Sequence, residues 1–303
     1  MTPVESQKPL RIRRLHENLA GLSLSAPAVV LMILFVIAPV LCVAVLSLTD
    51  YQLGAAALKF VGLNNYTEMF SDRVFRISMQ NTLTYVAIVV PGSVLLGLAL
   101  ALLIEAGTSG RAFYRAVYFL PIMATAVAMT VVWEFVLHPN FGFLNLVIGK
   151  LGLKGPHWLQ DRTVVLYTLC GIGIWQSVGF SMVLFTAGLK SIPKEFYEAG
   201  AVDGADSWWE RFRLVTWPML GPVTLFVIVV SAIRSFQVFD TVQVLTGGGP
   251  NHASEVLLYT MYSEGFQFFR SGYAAAVTTV FLALVLVLAL LKFGVLERRV
   301  HYT

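Results

Sequence analysis

Charge is scarce in this chain. Asp, Glu, Lys and Arg make up 13% of its 303 residues, against about a quarter in an ordinary soluble domain. The apolar share is 57% and the mean hydropathy is +0.75, more apolar surface than a soluble fold of this length can hide. The composition therefore excludes a conventional water-soluble protein. Cysteine is nearly missing as well: Cys42 and Cys170 both lie in apolar stretches, where a thiol is a small hydrophobe, so neither a disulfide framework nor a metal site is expected. A net charge of only +4 gives a nucleic-acid partner no support. The five histidines (His16, His138, His157, His252 and His301) fall outside the apolar runs and share no metal-ligand spacing, which leaves an intramembrane enzyme without its machinery. There is no Gly-x-x-x-x-Gly-Lys-Ser/Thr phosphate cradle, no solenoid-period repeat and no low-complexity tract.

What the chain does have is apolar length. A helix needs ~20 mostly apolar residues to cross the hydrocarbon core, and six such spans are predicted at 22–48, 81–104, 116–137, 164–189, 220–245 and 272–296. The all-α chain then divides into a tail 1–21, a first span 22–48, an external segment 49–80, a core 81–296 and a tail 297–303. Arg11, Arg13 and Arg14 before the first run imitate a signal peptide. However, the run from Gly21 to Leu48 is too long for a signal h-region and has no small-residue cleavage site, so it reads as an uncleaved span. Lys and Arg in the N-tail, 105–115, 190–219 and the C-tail outnumber those on the opposite side by roughly two to one, which places both termini and the 190–219 loop in the cytoplasm.

The 190–219 loop carries most of the information. Ser191 is expected to cap a helix whose first turn holds Pro193, and Ile192, Phe196, Ala199 and Val202 fall at helical spacing as one apolar stripe. Gly204 then interrupts the helix, and Ser207-Trp208-Trp209-Glu210 fits a capping box that starts another. Pro218 and Pro222 lead into the fifth span. The residues alone leave two readings open: an interfacial elbow anchored among headgroups by its aromatics, or a docking helix for a soluble partner.

Ile192-Pro193, Glu198-Ala199, Asp203-Gly204-Ala205 and Val215-Thr216-Trp217-Pro218 follow, in order, the pattern of the "EAA" loop of ABC-importer permeases, which this loop resembles. Gly200 stands where that pattern has its third alanine, Trp217 stands for a leucine, and the Gly204–Pro218 interval is one residue longer. Phe60-Val61-Gly62-Leu63-Asn64-Asn65-Tyr66, Arg115 to Pro121 with Trp133, Gly142-Phe143-Leu144-Asn145 and Thr246-Gly247-Gly248-Gly249-Pro250 are similar to segments of carbohydrate-type permeases, the last to the MalF-like member of the pair. Within the group the likeness is nearest the glycerol-3-phosphate/glycerophosphodiester (UgpA-type) permeases.

The resemblance implies the type I ABC-importer (MetI-like) transmembrane fold in a bacterial inner membrane. It further implies a MalG-like second permease, two ATP-binding subunits that hold ATP and Mg, and an extracytoplasmic solute-binding protein. This chain itself would bind no cofactor or metal and catalyse nothing. By the same resemblance Glu198, Ala199, Gly200, Asp203, Gly204 and Ala205 couple to the ATPase, with Gly204 as pivot for alternating access.

Charged groups at membrane depth usually face protein or a water-filled path. In the fifth span Arg234, Gln237 and Thr241 share a helical face with Asp240 one position off it, a candidate solute stripe in which Arg234 is available to a phosphate. Asn81 and Gln176 are weaker pathway candidates, since such residues also serve as helix–helix glue. Glu134 is placed at the outer end of the third span, within reach of water, and Gly92, Gly97, Gly171, Gly173 and Gly179 are expected to permit close packing. The expected solute is a glycerol phosphate or glycerophosphodiester, with a di- or oligosaccharide as the alternative. A secondary transporter would need duplicated, interrupted helices, and none is visible.

Overall fold

The structure, a computed structural model, describes the backbone of residues 10–55 and 57–299 and the side chains of residues 21–290 other than those of Ala56 and Ala126. The tail residues 1–9 and 300–303 lie outside the described residues, as do the side chains of Arg11, Arg13, Arg14, Lys292, Arg298 and Arg299. Apart from one isolated bridge between Thr49 and Phe60, the described chain is helix and loop.

The first span runs through α1 (Leu10–Met32), a π-helical turn at Ile33–Ile37 and α2 (Ala38–Leu46). Pro39 removes one backbone donor just past that turn. The most apolar window of the span has no residue buried inside the molecule, so its surface belongs to lipid or to another chain. An external segment follows with α3 (Asn64–Ser71). Its arrangement depends on the buried Asn65, whose amide donates to the carbonyls of Ser47 and Thr49, both at 2.8 Å. α4 (Arg73–Ala106) starts two turns before the predicted second span because Asp72 caps it, accepting from the Val74 N–H at 2.8 Å.

The third span differs from its prediction over 116–137. It consists of α5 (Arg111–Met123) and α6 (Ala126–Val136), and the chain bends by 101° between them. Pro121 takes a donor from the end of α5, Ala124 is extended, and Thr125 caps the restart by accepting from the Ala128 N–H at 3.4 Å. Among the described residues five helices are long and apolar enough to cross a membrane, and this bent pair is the sixth candidate.

The 138–163 loop forms α7 (Phe143–Lys150). Asn145 closes it, donating to the carbonyls of Pro139 and Pro156 and accepting from the Trp158 indole at 2.7 Å. α8 (Val165–Ser191) packs along α4 and forms the chief helix pair of the core. Gly97 allows this closeness, since a Cβ there would lie 2.5 Å from the Ser181 Cβ, and Gly179 does the same for α8 against α5, where a Cβ would lie 2.1 Å from the Tyr118 carbonyl oxygen. Gly171 is different, since a Cβ there would meet open space and no close neighbour among the described residues.

The cytoplasmic loop holds α9 (Lys194–Val202), α10 (Trp208–Arg211), a π-helical stretch Phe212–Thr216 and α11 (Trp217–Met219). The fifth span is α12 (Gly221–Phe236) followed by α13 (Asp240–Leu245), with a break between them. Externally α14 (Leu257–Tyr262) precedes the final span, α15 (Ser271–Arg299). Among the described residues three buried clusters hold the bundle. One, around Val94, Leu98, Met182, Phe185, Val215 and Leu220, lies under the cytoplasmic loop. A second gathers Tyr85, Val89, Leu169, Val242 and Val256, and a third joins Met69, Phe75, Phe236, Tyr273 and Val277.

Candidate functional site

Two regions gather the candidate residues. The first is the cytoplasmic elbow. α9 ends as Gly204 adopts φ +91°, a left-handed conformation natural to glycine. The Asp203 and Ala205 N–H groups donate back to the Ala199 and Gly200 carbonyls at 3.0 and 2.8 Å, and Ala205 is fully buried. α10 restarts through the Ser207–Glu210 capping box, with the Glu210 N–H donating to Ser207 Oγ at 3.2 Å and the Ser207 N–H to the Glu210 carboxylate at 2.9 Å. The hydrogen bonds from Ser207, backbone first, hold the Glu210 carboxyl below the usual range. Two further bonds fix the angle between the helices: Arg211 Nε donates to the Ala205 carbonyl at 3.1 Å, and the Tyr197 and Thr216 hydroxyls meet at 3.2 Å.

Two details of the elbow depart from the sequence reading. Ser191 does not cap α9: its hydroxyl donates back to the Gly188 carbonyl at 2.8 Å, as a residue ending α8 does, and Pro193 occupies the cap position. The expected apolar stripe also divides. Ile192 is buried, while Phe196 and Val202 are 48% and 88% exposed. The buried position of α9 is Gly200, where a Cβ would approach Val215 Cγ2 to 2.9 Å. The glycine that stands in place of alanine is therefore the residue that lets α9 lie against Val215. Glu198, Ala199, Val202, Asp203 and Gly204 form an exposed surface of carboxylates and apolar atoms on a fixed elbow. Such a surface suits a docking partner.

The second region is the break in the fifth span. Helix α12 stops at Phe236, Gln237 takes φ −87° and ψ +15°, and α13 restarts at Asp240. Arg234, Gln237 and Thr241 accordingly do not share one continuous helical face, as the uninterrupted periodicity had implied. Arg234, Gln237 and Asp240 are exposed, whereas Thr241 is buried. The Arg234 guanidinium lies over the Phe180 ring, 4.1 Å from its centroid, and has no carboxylate partner among the described residues. α12 spans ~24 Å at 1.5 Å per residue, so the break falls most of the way across a ~30 Å core. Non-helical backbone at that depth is tolerated where protein buries it or a water-filled cavity receives it.

Beyond the break an external cavity of about 440 Å³ is lined by Glu134, His138, His157, Gln160, Thr246 and Pro250, among others. Glu134 is exposed there, as its position in the sequence suggests. Gln176 is half-buried on α8. Asn81 serves the architecture, since its amide donates to the His252 and Glu255 carbonyls at 3.1 and 2.9 Å. Beside it Thr82 Oγ1 accepts the Leu257 N–H at 2.9 Å. Sequence reasoning did not pick out Thr82, and its only signal there was adjacency to Asn81. Within the glycine loop Gly247 and Gly248 have φ +54° and +78°, and Ser254 ties the loop with bonds to Thr246 Oγ1 at 2.8 Å and the Gly249 carbonyl at 2.5 Å.

Residues 93–302 match the family described as "Binding-protein-dependent transport system inner membrane component". A "Probable ABC transporter permease protein" of Pyrococcus horikoshii is 35% identical over 266 residues, covering 87% of this chain and 91% of that one. The "sn-glycerol-3-phosphate transport system permease protein UgpA" of Agrobacterium fabrum is 29% identical over 280 residues, covering 92% and 95%. Among solved structures, a chain of a bacterial alginate ABC transporter, crystallised with a periplasmic protein bound to an alginate pentasaccharide, superposes with a TM-score of 0.81. It has 20% identity and covers 94% of this chain and 96% of that one, which speaks to the fold.

Proposed function

The chain belongs to the family of binding-protein-dependent transport system inner membrane components, and on that premise we propose that it passes a glycerol phosphate or glycerophosphodiester across the membrane. It is a multi-pass inner-membrane permease of an ABC importer and not itself an enzyme. The observation that carries the solute reading is Arg234. It is an exposed cation at the break in the fifth span, held over Phe180 and not neutralised by any described carboxylate. An anionic phosphate would complete it, and Gln237 and Asp240 beside it offer a donor and an acceptor to glycerol hydroxyls. The similarity to UgpA supports the same class.

The working assembly comprises this chain, a second permease, two ATPase subunits that carry ATP and Mg, and a soluble binding protein. The exposed surface of α9, with Glu198 and Val202, docks on an ATPase, and the elbow carries its closure into α8 and α12 as a rigid-body movement about Gly204.

The test is solute-stimulated ATPase activity of the reconstituted complex, offered glycerophosphocholine, glycerol-3-phosphate, trehalose and maltose. The phosphate compounds are expected to stimulate, and Arg234→Ala to reduce that stimulation by roughly tenfold, the scale of one lost charge-assisted bond. Stimulation by a sugar alone would keep the importer and overturn the solute. Failure of an ATPase to copurify through the Glu198 surface would overturn the docking assignment.

A further inference from the structure

On the cytoplasmic side a hollow of about 330 Å³ opens between the ends of two spans and the elbow. Leu102, Glu105 and Ala106 contribute from the last turns of α4, Leu189 and Lys190 from the last turn of α8. Trp208, Arg211 and Phe212 close it from the elbow. Because its walls include the final turns of two membrane spans, the hollow lies at headgroup level.

Its charge is lopsided. Glu105, the carboxylate in the wall, is already engaged: Arg115 pairs with it, and Arg111 approaches it to 3.8 Å. Lys190 has no carboxylate partner among the described residues. Arg211 spends its Nε on the Ala205 carbonyl and makes no ion pair among the described residues. Arg115 Nε is buried with no hydrogen-bond partner among the described residues.

Aromatic rings flank this cationic hollow. Trp208 stacks on Phe212 with centroids 5.7 Å apart and planes 10° apart, and Trp209 stacks on Phe212 at 5.6 Å. Trp217 continues the ladder 6.1 Å from Phe212. Trp208 and Trp209 remain 62% and 60% exposed. Indole rings of this amphipathic kind settle where acyl chains meet headgroups. Basic pockets between spans on the cytoplasmic side take anionic headgroups.

We propose that this hollow binds the headgroup of an anionic phospholipid, with its phosphate on Lys190 and Arg211 and its acyl chains running beside Leu102 and Leu189. The bound lipid braces the elbow against the ends of α4 and α8, so anionic lipid strengthens coupling. A protein partner takes the α9 surface instead: Tyr197 turns into the hollow, while Glu198 and Val202 stay outside it.

The experiment uses the complete complex in nanodiscs of phosphatidylcholine alone or mixed with phosphatidylglycerol, reading retained lipid by native mass spectrometry and ATPase rate in parallel. Wild type is expected to retain phosphatidylglycerol selectively and to turn over faster with it. Lys190→Gln and Trp208→Leu, which spare the Arg211–Ala205 bond, are expected to weaken retention, Lys190→Gln by about fivefold, the effect of one cation near an anionic surface. Both should keep their ATPase subunits in phosphatidylcholine. Equal retention in wild type and variants would overturn the proposal. Loss of the ATPase from the variants in phosphatidylcholine would overturn it in favour of a protein-docking surface. Inorganic phosphate reproducing the rate effect in phosphatidylcholine would overturn it in favour of a small-anion site.

Discussion

At the scale of single residues, Gly200 shows how a departure from a pattern carries structural meaning. A methyl group there would lie 2.9 Å from Val215 Cγ2, closer than carbon atoms rest. Gly200→Ala is expected to cost about 1–3 kcal/mol by overpacking, visible as a lower melting temperature and weaker solute-stimulated ATPase activity. Val215→Ala should restore most of both in the double variant. No restoration would mean that the glycine serves something other than this contact. Asn65 and Thr82 matter for a different reason: each meets backbone groups that would otherwise be buried without a partner. Nothing in the local sequence of either residue announces that partner, which lies 16 residues away for the nearer one and 175 for the other.

At the scale of elements, apolar length made the spans legible. The elbow was legible too, because Gly204, Ser207 and Glu210 act within a few residues of one another, and local chemistry is what a sequence displays. The breaks were harder to see. Pro121 was visible, but a proline can be absorbed inside a membrane helix, and a bend of 101° requires Thr125 to restart the chain. The interruption at Gln237–Phe239 contains no proline or glycine and rests on tertiary packing, with Phe236 in one cluster and Val238 against another. That break decides which polar side chains emerge, so the solute stripe was only partly readable. The junction of α4 with the external loop carries its own prediction. Thr82→Val keeps shape and removes the acceptor for the Leu257 N–H, which should destabilise by about 1–3 kcal/mol. Slowed hydrogen exchange at Leu257 in that variant would contradict it.

At the scale of the whole molecule, distant parts of the chain meet on the external side. Arg270 pairs with Glu68 and lies 3.3 Å from Glu264, and the Tyr273 hydroxyl donates to Asp72 at 2.7 Å. Burial pushes the Glu264 carboxyl above the usual range; Arg270 opposes this, while Asp72, Glu68 and Glu255 add to it. A raised carboxyl favours the fold while it is protonated. Its stabilising share is therefore full below the ordinary glutamate value of about 4.3 and is lost as pH climbs through the higher folded value. Glu264→Gln should accordingly melt higher than wild type at neutral pH and level with it near pH 4. A difference that grows on acidification would reverse the sign and refute the assignment.

The ties from Asn81 to the 252–255 turn, from Thr82 to Leu257 and from Asp72 to Tyr273 each join groups more than 170 residues apart. During synthesis the ribosome delivers the first member of each pair long before the second. A chain stopped after the fifth span lacks residues 252–257, the distant partners of Asn81 and Thr82, and the Tyr273 of α15 that meets Asp72. The outer edge of the bundle thus closes last, on the part of the chain that is made last.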